Sequence, residues 1–362
     1  MATIRILADV DVGAVAALFM RIYPDHGWES ENACAAYFRD ILFDNPWHDP
    51  QVPSWVAVDD GEIVACYAVM ARRMILNGRP IRVAVGCQFL VDAKRCDGRV
   101  WLQLAKACMS GPQDLTLADG ANEFSRRMWT AVGGAASLLY SLHWTRPLRP
   151  AGYTLSLLEE RGAMPRALRF AVRPIASAID ALAARLRPNR FNRTDPGIVE
   201  QGLDAATMHK YLPDAVKGYA LRPDYRDDGL PWLLRQAAHK TRHGKLRARA
   251  VFKAERPIGW YLYYVSPGKI GEVLQIVAFD NRFDAVLRCL LVDAWRQGAT
   301  ALRGRFDPRS AQALSDQYCW LRREGPWTLI QSRDETVMAA LQQGDAFLSR
   351  LEGEWWMRFI GG

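Results

Sequence analysis

Two stretches of this chain, about 185 residues apart, run through the same order of strand, helix, strand and helix, which suggests an internal duplication. In the first, FLVDA leads through a short loop into VWLQLAKACM, and DLTLAD then leads into a helix that starts near Asn122. In the second, GEVLQIVAF leads into FDAVLRCLLVDAWRQG, and ATALRGRFD leads into RSAQALSDQYCWL. A hairpin pattern precedes each. The repeat is one of pattern, not identity. A chain of 362 residues is too long for one ordinary domain and comfortable as two of about 150–180 residues.

Local signals fill in the first copy. Ile4–Leu7 reads as a short strand, and Asp11 can cap a helix running through Val15, Leu18, Phe19 and Ile22. A second helix covers Ser30 to Leu42 and ends before Asn45-Pro46. Asp60-Gly61 and Asn77-Gly78 favour tight hairpin turns within β-branched and apolar runs, which predicts three antiparallel strands, the third ending at Asp92. From about Arg146 to Gly197 the character changes. Eight Arg face one acidic residue, Asp180, between Arg161 and Arg193, and Pro174 predicts a break between two amphipathic helices. This region reads as a linker. The expected division is therefore residues 1–150, a linker over 151–197, and a second domain over 198–362. The tail GDAFLSRLEGEWWMRF is expected to pack on that second domain through Trp355 and Trp356.

Composition excludes several classes. Half the residues are hydrophobic and 24% are charged, a globular balance able to supply two cores. Seven widely spaced cysteines with no C-x-x-C pair support neither a zinc ribbon nor a disulfide framework, so no metal is expected and a reducing cytoplasm fits. The N-terminus has no basic leader, and no apolar run approaches the ~20 residues needed to span a bilayer. The formal net charge of +8 favours anionic partners: nucleic acid, acidic lipid or a phosphorylated cofactor.

The stretch FLVDAKRCDGRVWLQLAKA, from Phe89 to Ala107, narrows that choice. It is an apolar strand, a basic loop with one glycine, and an immediate helix. A loop opening a helix leaves backbone N–H groups pointing one way at the positive end of the helix dipole, where phosphate oxygens bind. Gly98 allows close backbone approach, while Lys94, Arg95 and Arg99 add charge. This resembles the pyrophosphate loop of the GNAT N-acyltransferases, Q/R-x-x-G-x-G/A, with Arg95, Gly98 and Val100 at its three defined positions and Val in place of the last small residue. NEFSRRMWTAVGG, from Asn122 to Gly134, resembles the family segment N-x-x-A-x-x-L-Y-x-K-x-G-F. Asn122, Ser125, Met128, Trp129 and Gly133 fall at matching spacings.

The resemblance covers most of residues 1–150 and implies an α+β fold of two tandem GNAT-like domains, each a mostly antiparallel mixed sheet flanked by helices. It implies acyl-CoA, or an acyl carrier protein, as donor to an amine or hydroxyl acceptor, with no metal. The donor site it implies comprises Leu90, Val91, Arg95, Cys96, Asp97, Gly98, Arg99, Val100, Asn122 and Ser125, a strand N–H near Leu90 or Val91 polarising the thioester. The position of the family's usual acid, a Tyr, holds Trp129, whose indole cannot supply a proton. His143, Tyr140 and Asp119 are the candidate acid–base residues, each with a plainer role available as a strand residue, a packing aromatic and a turn former. Cys87 reads as a buried small hydrophobe rather than a nucleophile.

The equivalent loop of the second copy, AFDNRFDAVLRCLL, lacks glycine and carries Asp280 and Asp284, so no thioester is expected there. The tandem layout looks like the Fem-type aminoacyltransferases and the GNAT-like proteins of bacterial envelope polysaccharide and lipid pathways. That leaves aminoacyl transfer from charged tRNA, or a non-catalytic binding module, as alternatives. HKYLPD fits an H-x-x-x-x-D pattern of membrane acyltransferases, but no accompanying motif supports it. Residues 163–187 place Arg among Leu, Ile, Phe and Ala at helical spacing, which predicts a peripheral contact with a membrane surface by a cytoplasmic protein.

Overall fold

The computed structural model describes residues 2–357, apart from 97, 187–194, 226–228 and 324. The chain opens with β1 (Thr3–Ile6), α1 (Val12–Ile22), α2 (Glu31–Leu42), β2 (Trp55–Asp59), β3 (Glu62–Leu76) and β4 (Arg79–Val91). There follow α3 (Gly98–Met109), β5 (Leu115–Ala121), α4 (Glu123–Ala131), β6 (Ala135–Ser137) and β7 (His143–Pro147). The middle holds α5 (Pro150–Glu160), α6 (Arg166–Leu186), β8 (Ile198–Gly202), α7 (Ala205–Val216), β9 (Leu221–Pro223) and α8 (Gly229–His239). Then come β10 (Lys245–Lys253), β11 (Arg256–Val265), β12 (Ile270–Ala278), α9 (Phe283–Arg296) and β13 (Ala301–Arg305). The last elements are α10 (Ala311–Asp316), β14 (Trp320–Arg322), β15 (Trp327–Gln331) and α11 (Glu335–Gln342).

The hairpins form where the turn dipeptides placed them. Asp60 and Gly61, and Asn77 and Gly78, all have positive φ, the conformation that Asn, Asp and Gly tolerate and that joins twisted strands without splaying them. Ser30 caps α2 by accepting the Ala33 amide at 3.1 Å, and Asn122 caps α4 by accepting the Ser125 amide at 2.8 Å. Each cap satisfies a donor that the helix itself leaves unpaired.

Two compact units result: residues 1–141, 216–242 and 325–362 form one, and 142–215 and 243–324 the other. They interleave along the chain rather than dividing at residues 150 and 197. The first unit's sheet runs β1-β2-β3-β4-β5-β15-β6, with β9 also paired to β3. The second unit's sheet runs β14-β7-β13-β12-β11-β10-β8. The two orders correspond strand for strand. In each sheet one neighbouring pair is parallel, β4 with β5 and β12 with β13. Each sheet also takes one inner strand from the other half of the chain, β15 in the first and β7 in the second. This reciprocal exchange carries the tail into the first unit, where Trp356 is fully buried and its indole donates to the Leu351 carbonyl. The expected packing of the tail on the second domain is corrected accordingly.

The Arg-rich region is part of the second unit, not a free linker. Its single acidic residue explains why. The Asp180 carboxylate accepts the amides of Ala151 at 3.0 Å and Gly152 at 2.8 Å, capping the start of α5 from α6. Pro174 lies inside α6 and does not divide it. Among the described residues no helix is long and apolar enough to cross a membrane. No group of three or more His, Cys, Asp or Glu could hold a metal ion among them.

Candidate active site

The first unit's sheet opens at its centre because two ladders end there. β4 pairs with β5 only over Val83–Val85 opposite Leu115–Leu117. Immediately beyond, Ala68 pairs with Gln88 and Val69 with Gly86, so Cys87 is an extra residue with no partner in β3. A bulge of this kind bends its strand and increases the twist, and β4 swings away from β5. On the other side of β5, Leu329 pairs with Ala118 and Trp327 with Ala121. Asp119 and Gly120 therefore also lie in an irregular stretch.

The gap is a cavity of about 590 Å³. Its floor is made by Tyr67, Gly86, Cys87, Ala118, Gly120 and Glu354, and its walls by Phe89, Trp101, Phe124 and Trp129. Tyr67, Phe89, Trp101 and Phe124 form a chain of edge-to-face rings with centroids 5.1, 5.7 and 6.3 Å apart. Such contacts are preferred by ring quadrupoles, and here they line the route from solvent, where Phe124 is exposed, to the buried floor.

The floor holds a charged device. The amides of Asp119 and Gly120 donate to Glu354 Oε2 and Oε1 at 2.5 and 2.6 Å. In return the Asp119 carboxylate accepts the Trp355 amide at 2.8 Å. A Cβ on Gly353 would stand 2.1 to 2.3 Å from the Asp119 carboxyl atoms, so only glycine lets the tail come this close. Glu354 is buried, which charge-assisted bonds to both oxygens make tolerable. Across the floor, Tyr67 is 5% exposed, and its hydroxyl takes part in none of the hydrogen bonds among the described residues. Burial, aided by the charge of Glu354, holds its pKa well above the usual phenol value. Burial likewise raises the Cys87 thiol, which argues against a thiolate nucleophile.

No family model and no curated protein sequence matches the chain. Solved structures do. A GCN5-related N-acetyltransferase from Anabaena variabilis ATCC 29413 superposes with a TM-score of 0.60 at 9% identity, covering 92% of this chain and 74% of that one. A conserved protein of unknown function from Enterococcus faecalis V583 gives 0.57 at 9%, covering 95% and 74%. A GCN5-related N-acetyltransferase from Kribbella flavida gives 0.54 at 13%, covering 94% and 74%. The fold is that of the GCN5-related N-acetyltransferases.

Within this GNAT fold the expected donor residues divide. Val91, Cys96, Asn122 and Ser125 line the cavity. Leu90 lies between the lining residues Phe89 and Val91 in β4, buried and paired with Cys66. Gly98 opens α3 and Arg99 is exposed on its first turn, while Asp97 lies outside the described residues. Two amides assigned to the anion-binding turn are already used, because Arg95 and Cys96 both donate to the Asp92 carbonyl, at 3.0 and 2.9 Å. The Arg95 side chain pairs with Glu62. Val100 is buried among the apolar residues under α3.

Of the three acid–base candidates, Tyr140 and Asp119 belong to the first unit and His143 to the second. Tyr140 sits on a short turn rather than a strand, and its hydroxyl donates to the Ala346 carbonyl at 2.6 Å and accepts the Ala346 amide at 3.0 Å. Asp119 holds the tail. His143 begins β7, in the second unit's sheet, paired in register with Arg305 and Arg322. Trp129 lines the cavity and donates its indole N–H to the Ile330 carbonyl at 3.1 Å. Tyr67 and Glu354, which the sequence reading passed over, are the polar groups that share the floor.

Proposed function

We propose that the first unit is an acyltransferase, moving an acyl group from a pantetheine thioester, acyl-CoA or an acyl carrier protein, to an amine or hydroxyl acceptor. The observation that carries this reading is the cleft between β4 and β5, open along an unpaired strand edge and flanked by the Asn122 cap of α4. A strand edge offers amides to an extended amide-bearing arm and to a thioester oxygen as it gains charge. The tandem layout suggests an envelope sugar or lipid precursor as acceptor.

Calorimetry with coenzyme A and acetyl-CoA tests it. Binding by the wild type, weakened at least tenfold in Gly98→Asp, supports the reading. Absence of binding, or equal binding by the variant, would sink it. Aminoacyl transfer from tRNA remains a rival on the strength of the +8 charge. Affinity for tRNA that falls steeply with salt, without affinity for coenzyme A, would favour that rival. A purely non-catalytic module fits a cleft filled by side chains better than an open one.

A peripheral membrane role at the cytoplasmic face belongs to the same proposal. Leu168, Ile175, Ile179 and Leu182 of α6 are 49%, 60%, 55% and 57% exposed. Their spacing puts them on one helix face, in a region with a large excess of arginine.

A further inference from the structure

The acyltransferase reading leaves open how large an acyl group the thioester carries. The cleft is wider than the gap between two strands. Besides the edges of β4 and β5, its lining takes in Tyr67 of β3 and both Trp101 and Ala105 of α3. Tyr67 lies one strand beyond β4, paired with Phe89. Ala105 lies one helical turn beyond Trp101, on the same face of α3. Because α3 packs against β2 and β3, the space runs sideways from the gap, along the α3 face of β4.

Small residues make this side branch. A Cβ at position 86 would stand 2.8 Å from the Tyr67 hydroxyl oxygen, so the ring lies over Gly86 only because that residue has no side chain. Ala105 and Ala118 contribute a methyl group each, from α3 and from β5. Tyr67, Trp101, Ala105, Ala118 and Trp129 are all buried. The Trp129 indole N–H is taken by the Ile330 carbonyl. Among the described residues no Lys, Arg or His lines the cavity, and its charged group is the Glu354 carboxylate.

We propose that the side branch holds the hydrocarbon tail of the acyl group, that the donor carries an unbranched apolar chain several carbons longer than acetyl, and that Ala105 limits its length. The inference rests on the thioester reading of the cleft.

The chemistry of the lining selects the occupant. A pantetheine arm carries amides, which suit the strand edges and not a branch walled by rings. An acetyl group adds one methyl beyond its carbonyl and leaves the lining of the branch without contacts on that side. A carboxylated group such as succinyl brings a charge to rings and methyls, with no cation to meet it. An unbranched alkyl chain can turn from the gap into the branch, and each methylene that leaves water there tightens binding by about fourfold.

Calorimetry of the full chain with acetyl-, butyryl-, hexanoyl- and succinyl-CoA tests the proposal. Kd should fall by about tenfold or more from acetyl- to butyryl-CoA, and again to hexanoyl-CoA. Succinyl-CoA, as long as butyryl-CoA but charged, should bind no more tightly than acetyl-CoA. Ala105→Leu fills the branch from α3, and the ratio of hexanoyl- to acetyl-CoA affinity should drop by about tenfold or more. That ratio is the readout, because a general disturbance of α3 weakens every thioester alike. If Ala105→Leu does not fold, Ala118→Val enters the branch from β5 and serves for the same measurement. Affinities within about twofold across the alkyl series, an equal gain for succinyl-CoA, or an unchanged ratio in the variant overturns the chain-length assignment and leaves the transferase reading standing. A wild type that binds none of the thioesters removes both.

Discussion

Gly353→Ala is the sharpest test of how the tail is seated, and its size can be worked from distances. The added Cβ would meet the Asp119 carboxyl carbon and both oxygens at 2.1 to 2.3 Å, far inside any contact real atoms make. Neither partner can simply rotate away. Asp119 is on a buried strand, and its carboxylate is bound to the Trp355 amide two residues further along the tail. The tail must therefore lift, and three bonds depend on its position: Trp355 to Asp119, and the Asp119 and Gly120 amides to Glu354. Hydrogen bonds to charged groups are worth about 1.5–3 kcal/mol each, and forced overpacking typically costs about 1–3 kcal/mol. Partial relaxation leaves a penalty of about 3 kcal/mol or more. At about 2–4 °C per kcal/mol for units of this size, Tm should fall by about 6 °C or more. Hydrogen exchange locates the effect, because the Asp119 and Gly120 amides should lose protection while those of β11 keep theirs. A Tm within about 1 °C of wild type with unchanged exchange at both amides would refute the reasoning.

Other outcomes follow from single contacts. Tyr140→Phe removes both bonds to Ala346 and should lower stability by about 1–3 kcal/mol in urea melts, with coenzyme A binding unchanged. Lys240 is 3% exposed, and burial with the nearby Arg242 lowers its pKa to about 7. The unfolded chain then holds more protons than the folded one above pH 7, so stability should rise from pH 7 to 9.5 and this rise should disappear in Lys240→Met. The ammonium lies 3.8 Å from the Tyr37 ring centroid, which favours the charged form and makes the slope shallower. For α6, wild type should float with vesicles containing anionic lipid but not with neutral ones, and Ile175→Asp/Ile179→Asp should abolish this; equal flotation of the variant refutes the contact.

The elements that could be read from sequence are those specified by local chemistry. Asp60-Gly61 and Asn77-Gly78 each dictate a tight hairpin, and Asn122 dictates a helix start, whatever lies elsewhere in the fold. Val91, Cys96, Asn122 and Ser125, which line the cavity, sit next to such local signals. The strand exchange was not legible in this way. Nothing near Trp327 states that β15 will enter the sheet built by the first 141 residues, because its partners Ala118 and Ala135 are distant in sequence. Glu354 was hidden by that exchange, having been assigned with the tail to the other domain. Tyr67 was hidden by periodicity, since an aromatic within a 15-residue strand reads as core until a bulge opens the strand beside it. The place of His143 was hidden by one short turn at residues 139–141, which separates β6 from a strand belonging to the other sheet.

The duplication supplies an internal control for the environment of Tyr67. In the second sheet Leu262 pairs with Gln275 and Tyr263 with Val273, leaving Leu274 unpartnered just beyond the parallel ladder of β12 with β13. That is the same defect, in the same place, as Cys87 in the first sheet, and it makes Tyr261 the counterpart of Tyr67. The two phenols differ in one respect. Tyr261 donates to Glu200 at 2.5 Å, whereas Tyr67 faces an open cleft. Tyr261→Phe strands a half-buried carboxylate that burial already pushes toward its neutral form and should cost about 1–3 kcal/mol of stability without touching thioester cleavage. Tyr67→Phe, which removes none of the hydrogen bonds among the described residues, should leave Tm nearly unchanged. Equal losses of stability at the two positions would mean that both hydroxyls serve only to hold their strands, and the distinction between an open and a tied copy would fall.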